Sequence, residues 1–109
     1  MAASPKRDTI SDEKLDTYFS VTGEALGKAR AATDRSTAER GAQAADFLDM
    51  AQRYYDDAGF FHKKGDYVNA FACLNYSHGW LDAGARIRLF KVTDSRLFTV
   101  DEHIAERKP

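Results

Sequence analysis

The stretch AGFFHKKGDYVNAFACL, residues 58–74, predicts a tight turn between two helices. Lys63 and Lys64 are cations, which the helix dipole favours at a helix C-terminus, and Gly65 readily adopts the left-handed conformation that ends many helices. Asp66 follows at once and is a preferred N-cap residue. Because the connection is only one or two residues long, the two helices must form an antiparallel hairpin.

Upstream of this hairpin the sequence predicts one further helix. Between residues 15 and 29, apolar residues recur every three or four positions, which predicts a helix over about 11 to 31. Ser36 and Glu39 then have the spacing of a capping box, so we expect the second helix to begin there. The two prolines, Pro5 and Pro109, lie at the ends of the sequence, and the long stretch between them favours an all-α protein.

The third helix is predicted from Tyr67 to about Phe90 and differs from the other two. Its apolar residues point in nearly every direction, which is typical of the central helix of a bundle. After it, the β-favouring run Leu97-Phe98-Thr99-Val100 predicts an extended segment along the helices. The sequence therefore predicts an all-α, antiparallel three-helix bundle over 11–100 with an extended C-terminal strap over 91–100. Residues 1–10 and 101–109 are expected to be tails.

The amino-acid composition limits the classes of function that are open to this chain. The chain has 109 residues, enough for one domain, and a formal net charge of -1, which disfavours DNA and anionic membranes as partners. Cys73 is the single cysteine, so an intrachain disulfide and a cysteine-rich zinc site are excluded and a cytoplasmic location is expected. No apolar run predicts a secretion signal or a membrane span. No motif for a metal, a nucleotide or a hydrolase is present, so no cofactor is expected.

The third helix contains a strip of polar residues at spacings of three, four and four: Asn75, His78, Asp82 and Arg86. This spacing places them along one line of the helix surface. Asp82 is four residues from His78 and could fix its tautomer, leaving the other ring nitrogen free to act as a base or a ligand. The same pair could equally satisfy its own polar groups between packed helices. We call these four residues the polar strip.

A second set of residues predicts a pocket or an interface: Tyr55, Tyr67, Tyr76, Gly79, Trp80 and Gly84. Glycine inside a helix costs up to about 1 kcal/mol relative to alanine, which indicates close approach of another group. That group could belong to the bundle, to a second subunit or to a ligand. Because the third helix is more apolar than two neighbouring helices can cover, we expect a homodimer.

Three stretches carry a family resemblance: Tyr54-Tyr55, GDYVNAFA at 65–72 and YSHGWLDAG at 76–84. Together with LFTV at 97–100 they resemble the DUF357 family, small archaeal proteins of unknown function, over about residues 11 to 100. The resemblance implies a three-helix bundle of archaeal, cytoplasmic origin with no established activity.

The same hairpin is similar to two other helical families. One tetratricopeptide hairpin has this pattern of small and aromatic residues, but no second copy stands about 34 residues away, as an array would need. The HEPN ribonucleases carry an arginine before the polar residue that precedes their histidine, whereas Leu74 precedes Asn75 here.

The function predicted from the sequence is a non-catalytic protein-interaction module, and enzyme activity is not expected. The partner is a second copy or another protein, and RNA is disfavoured. Two alternatives stay open: an RNA- or nucleotide-directed activity of HEPN type at the polar strip, and a bundle that binds a small molecule.

Overall fold

A computed structural model describes residues 6–100 of the chain. It contains three helices, α1 (Asp12–Ala31), α2 (Ala38–Lys63) and α3 (Tyr67–Arg86). The described residues contain no strand, only an isolated bridge between Thr33 and Phe90. The all-α three-helix bundle is therefore confirmed. The predicted tail over 1–10 lies partly outside the described residues, and the tail over 101–109 lies wholly outside them.

The turn between α2 and α3 forms as predicted. Gly65 has a φ of +76°, and the amide of Asp66 donates to the carbonyl of Phe61 at 2.9 Å. The Asp66 carboxylate then accepts a hydrogen bond from the amide of Asn69 at 3.1 Å, which caps α3. This short connection lays α3 antiparallel along α2.

The predicted start of α2 is wrong by one residue. Thr37 is the N-cap, and its hydroxyl accepts from the amide of Arg40 at 3.0 Å. The amide of Ser36 instead donates to the carboxylate of Asp34 at 2.9 Å. Because this Asx turn engages the Ser36 backbone before the helix, capping shifts to the next hydroxyl residue.

The third helix is shorter than predicted. It ends at Arg86, whereas the sequence predicted an end near Phe90. Arg88 has a φ of +63°, and the amide of Leu89 donates to the carbonyl of Gly84 at 2.8 Å. These are the features of a Schellman termination, which reverses the chain. The reversal folds the ring of Phe90 over Gly84, where a Cβ atom would lie only 2.2 Å from a ring carbon.

The core lies where α3 meets α1 and α2. Leu74 and Leu81 of α3 are fully buried, and so is Leu15 of α1. Ser77 is also buried, and its hydroxyl donates to the carbonyl of Ala51 in α2 at 2.6 Å. Central placement of α3 is thus confirmed on the sides that face α1 and α2.

Asp34 ties the α1–α2 loop to the segment that follows α3. Its carboxylate accepts from the guanidinium of Arg40 at 3.0 Å, and its amide donates to the carbonyl of Leu89 at 2.7 Å. Arg40 also donates to the carbonyl of Ile87 at 2.7 Å. The hydrogen bonds from Ser36 and then from Arg40 hold the pKa of Asp34 well below its usual range.

Residues 91–100 pack across α1 and α3 as a strap, but the prediction that this segment is extended is wrong at its centre. Residues 95–97 form a turn, in which the amides of Leu97 and Phe98 donate to the carbonyl of Asp94 at 3.1 and 2.9 Å. Leu97 and Phe98 are buried, whereas two charged residues of the strap pair with α1. Lys28 donates to Asp94 at 2.8 Å, and Arg96 pairs with Glu24 at 2.5 Å. The strap therefore adds apolar residues to the core from outside the three helices.

Two glycines of α3 predict opposite responses to the same substitution. Gly84→Ala should lower the free energy of unfolding by about 1–3 kcal/mol, because the new methyl group collides with Phe90. Gly79→Ala should raise it by about 0.5–1 kcal/mol, because a Cβ atom at Gly79 has nothing within 4 Å and alanine favours helix. Urea denaturation of both variants, at a protein concentration low enough to exclude association, checks this pair. Destabilisation by Gly79→Ala under that condition would contradict the open environment.

Asp34 predicts a pH dependence of stability. A carboxyl whose pKa is lowered on folding stabilises the protein at neutral pH, and this contribution declines as the pH falls below about 4. Asp34→Asn should therefore be less stable than the wild type at pH 7, and the difference should shrink toward pH 2. Urea midpoints across this range measure the effect, with the exposed Asp46→Asn as the control. A difference that is constant with pH would contradict the prediction.

Candidate functional site

The polar strip borders a cleft enclosed by α1, α3 and the strap. Asn75, His78 and Asp82 line this cleft, which has a volume of about 550 Å³. Arg86, the fourth residue of the strip, lies outside it and is exposed. The structure thus brings three of the four predicted residues together.

Both ring nitrogens of His78 are engaged in the fold. Nε2 lies 2.5 Å from the carbonyl oxygen of Leu97 in the strap, and Nδ1 lies 3.1 Å from the hydroxyl of Thr22 in α1. Because a carbonyl only accepts, this contact assigns the hydrogen to Nε2, and in the neutral ring Nδ1 accepts from Thr22. Thr22 is buried, so His78 joins α1, α3 and the strap.

Asp82 holds the next residues of the strap. Its carboxylate accepts from the amide of Thr99 at 2.8 Å and from the hydroxyl of the same residue at 3.2 Å. Its distance to Nε2 of His78 is 3.8 Å, too long for a hydrogen bond. His78 and Asp82 therefore form a clamp on residues 97–99 rather than the imidazole–carboxylate pair that the spacing suggested.

This arrangement limits the chemistry of the strip. A general base or a metal ligand needs a ring nitrogen with a free lone pair, and Nδ1 of His78 is directed to Thr22. Over residues 6–100, no three histidine, cysteine or acidic side chains lie close enough to hold a metal ion. Cys73 is half-buried, and burial, followed by Asp57 and Asp66, raises the pKa of its thiol, which disfavours the reactive thiolate.

Tyr76, Gly79 and Trp80, three residues of the second predicted set, meet in an apolar groove. The groove has a volume of about 630 Å³ and lies on the surface of α3, completed by Ala72, Asn75 and Ala83. Aromatic residues of α2 support it from one side. The ring centroids of Tyr54 and Tyr76 are 4.4 Å apart, and those of Phe47 and Trp80 are 5.1 Å apart.

The other three residues of that set lie elsewhere. Tyr55 packs between α1 and α2 and donates to the carbonyl of Phe19 at 3.3 Å. The hydroxyl of Tyr67 donates to the carboxylate of Asp12, a bond that raises the pKa of Tyr67. Gly84 is buried beneath Phe90. The six residues of this set therefore do not line one pocket, because Tyr55 and Tyr67 both bond to α1.

The exposed surface of α3 differs in charge from that of the other helices. Seven of the twelve exposed residues of α1 are charged, and seven of twelve in α2. Of the eight exposed residues of α3 one is charged, Arg86. At 100° per residue the eight fall within an arc of about 120°. We call this set the outer face of α3: Val68, Asn69, Ala72, Asn75, Tyr76, Gly79, Ala83 and Arg86.

Sequence reasoning missed part of this face. Val68, Asn69, Ala72 and Ala83 were not identified as site residues, because the sequence predicted surplus apolar surface on the third helix without showing which side of it stays uncovered. A signal was present in the sequence, since residues 67–81 contain no acidic residue, lysine or arginine in a chain that is 30% charged. Val68 is 63% exposed and Tyr76 is 58% exposed, so the described residues leave this side of α3 uncovered.

Comparison with known proteins yields one family. The family model for DUF357, described as a protein of unknown function, matches residues 17–90. The match includes most of α1, all of α2 and α3, and Phe90, but it ends before the strap, so it does not reach the LFTV stretch at 97–100. Neither the curated proteins nor the solved structures gave a significant match. Among the described residues, no helix is long and apolar enough to cross a membrane.

The clamp predicts different effects within the polar strip. His78→Ala should lower the free energy of unfolding by about 1–3 kcal/mol and speed amide exchange over 95–100, because Thr22 and Leu97 lose their partner. Asp82→Ala should speed exchange at Thr99 most strongly. Hydrogen–deuterium exchange and urea denaturation measure both effects.

Arg86→Ala and Asn75→Ala are matched controls from the same strip. Both residues are exposed, and their side chains make no hydrogen bond within residues 6–100, so their stabilities should stay within about 0.5 kcal/mol of the wild type. Equal protection of the strap in His78→Ala and in the controls would contradict the clamp.

Proposed function

We propose that this chain, which belongs to the DUF357 family of proteins of unknown function, is a non-catalytic protein-interaction module that binds its partner through the outer face of α3. The observation that carries the proposal is the charge contrast between the helices. One of eight exposed residues of α3 is charged, against seven of twelve in each of α1 and α2. The cores of protein interfaces are depleted of charge in the same way.

The aromatic side chains on this face and beside it support the same conclusion. Interfaces are enriched in tyrosine and tryptophan, which contribute most when a partner covers them. Tyr76 is exposed and Trp80 is half-buried, and both pack against aromatic residues of α2. Their orientation is thus fixed before binding, which lowers the entropy that a partner must overcome.

Gly79 gives the face its shape. It lies between Tyr76 and Ala83, and nothing stands within 4 Å of the position that its Cβ atom would occupy. The result is an open depression over bare helix backbone, where a side chain or a helix of a partner can approach closely. A large residue at position 79 would fill this depression without touching the core.

The two alternative functions receive less support. A nuclease of HEPN type needs an accessible histidine, whereas both ring nitrogens of His78 are bonded within the fold. A small-molecule site could use the cleft of about 550 Å³, but its polar lining residues His78 and Asp82 already hold the strap. Neither alternative accounts for the missing charges on the outer face of α3.

We also propose that the protein is cytoplasmic and uses no cofactor. Cys73, the single cysteine, is free, as is usual in a reducing compartment. A net charge of -1 supplies no general field for nucleic acid, so a protein is favoured over DNA or RNA as the partner.

Site-specific photo-cross-linking in living cells tests the proposal. A photoreactive benzoyl-phenylalanine in place of Tyr76 should form a protein adduct, because that side chain lies on the contact surface. The same substitution at Phe60, an aromatic residue of α2 with similar exposure, is the matched control and should form little adduct.

A second substitution links the adduct to the groove. Gly79→Arg places a charged side chain in the depression and should reduce the Tyr76 adduct at least tenfold. Gly27→Arg, at an exposed glycine of α1 that also has open space, should leave the adduct unchanged. Equal adducts at Tyr76 and Phe60, or an adduct that survives Gly79→Arg, would contradict the proposed function.

A further inference from the structure

We infer that the partner of this face is a second copy of the chain, with the two α3 helices packed side by side and antiparallel. This inference rests on the proposed function and names its partner. It follows from a regularity in the outer face that neither the core nor the clamp requires.

The exposed residues of α3 have the spacing of a coiled-coil seam. The spacings run three, four, three, four, three along one line: Asn69, Ala72, Tyr76, Gly79, Ala83 and Arg86. A seam of this spacing is what one helix presents to another that packs alongside it. Ordinarily such a line faces the core of its own bundle, but here every member is exposed.

The seam complements itself when it is reversed. When two α3 helices pack antiparallel and are centred between residues 77 and 78, Tyr76 of one copy lies opposite Gly79 of the other. In the same way Ala72 lies opposite Ala83. In an antiparallel pair, each Tyr76 ring therefore lies in the same layer as Gly79 of the second copy, and large fits against small. In this arrangement Val68 of one copy also lies opposite Ile87 of the other. Both residues are exposed and apolar, and the contact forms at each end of the helix pair.

A parallel pair lacks this complementarity. It would place Tyr76 against Tyr76 and would leave a gap where two copies of Gly79 meet. It would also bring two Arg86 guanidinium groups into one layer, and like charges repel. In the antiparallel pair Arg86 instead lies beside Asn69 of the second copy, at the helix end that Asp66 caps. Charge and volume thus select the same orientation.

The size of the surface suits a second copy. At 1.5 Å per residue, α3 is about 30 Å long, and together with the aromatic edge of α2 the surface is two helices wide, about 20 Å. Its projected area is about 600 Å², and accessible area exceeds projected area. The surface therefore approaches the roughly 800 Å² per partner of a standard interface.

Disulfide trapping tests the orientation directly. In a Cys73→Ser background, Ala72→Cys on a tagged chain and Ala83→Cys on an untagged chain are mixed and oxidised. The antiparallel pair places these two positions in one layer, within reach of a disulfide, but separates two copies of residue 72 by eleven residues, about 16 Å. We expect the mixed product to exceed either self-linked product at least tenfold, and Ala42→Cys on α2 to give only background.

Sedimentation of the wild type should show a monomer–dimer equilibrium that Gly79→Arg shifts to monomer and Gly27→Arg does not. Self-linked Ala72→Cys in excess would overturn the antiparallel orientation. A monomer at all concentrations with no mixed disulfide would overturn the second copy as partner. These outcomes are distinct from a failure of the proposed function, which requires only that Tyr76 form an adduct with some protein. An adduct with a different chain would therefore support the proposed function and overturn the second copy as partner.

Discussion

The turn at Gly65 and Asp66 is the constraint on which the rest of the structure depends. Because only Lys64 and the left-handed Gly65 separate α2 from the N-cap of α3, the two helices must lie antiparallel and in contact. One side of α3 is thereby buried against α2, and α1 covers a second side. The strap, reversed by the Schellman turn at Gly84 and held by His78 and Asp82, borders a third. No element among residues 6–100 is left for the outer face.

Local signals in the sequence were sufficient for most of the fold. The Gly65 turn, the Asp66 cap and the apolar spacing of the helices each depend on neighbouring residues, so their prediction was confirmed. The start of α2 was wrong because Asp34, whose carboxylate accepts from the amide of Ser36, is anchored by Leu89, a contact distant in sequence. The end of α3 was wrong because Arg88, and not a glycine, takes the left-handed conformation of the Schellman turn, so the usual sequence signal is missing.

The candidate site could likewise be predicted only in part from the sequence. Spacing correctly placed His78 and Asp82 on one line, but it could not show that the strap returns to occupy both. A histidine beside a carboxylate suggested chemistry, and tertiary contacts assign the pair a structural role. Conversely, the apolar third helix suggested more apolar surface than two helices can cover, but it did not show which side stays exposed. Exposure is decided by how many elements surround a helix, and the described part of this chain supplies too few to surround α3.

The central claim is that the outer face of α3, where one exposed residue in eight is charged, contacts a second copy of the chain. An NMR dilution series of the isotope-labelled chain, from millimolar to micromolar concentration, tests it most directly. We predict shifts in the amide signals of Ala72, Tyr76, Gly79 and Ala83 and in the indole signal of Trp80, while the amides of exposed α1 residues stay constant. Signals of the outer face that do not move, with shifts confined to α1 or to the strap, would contradict the account.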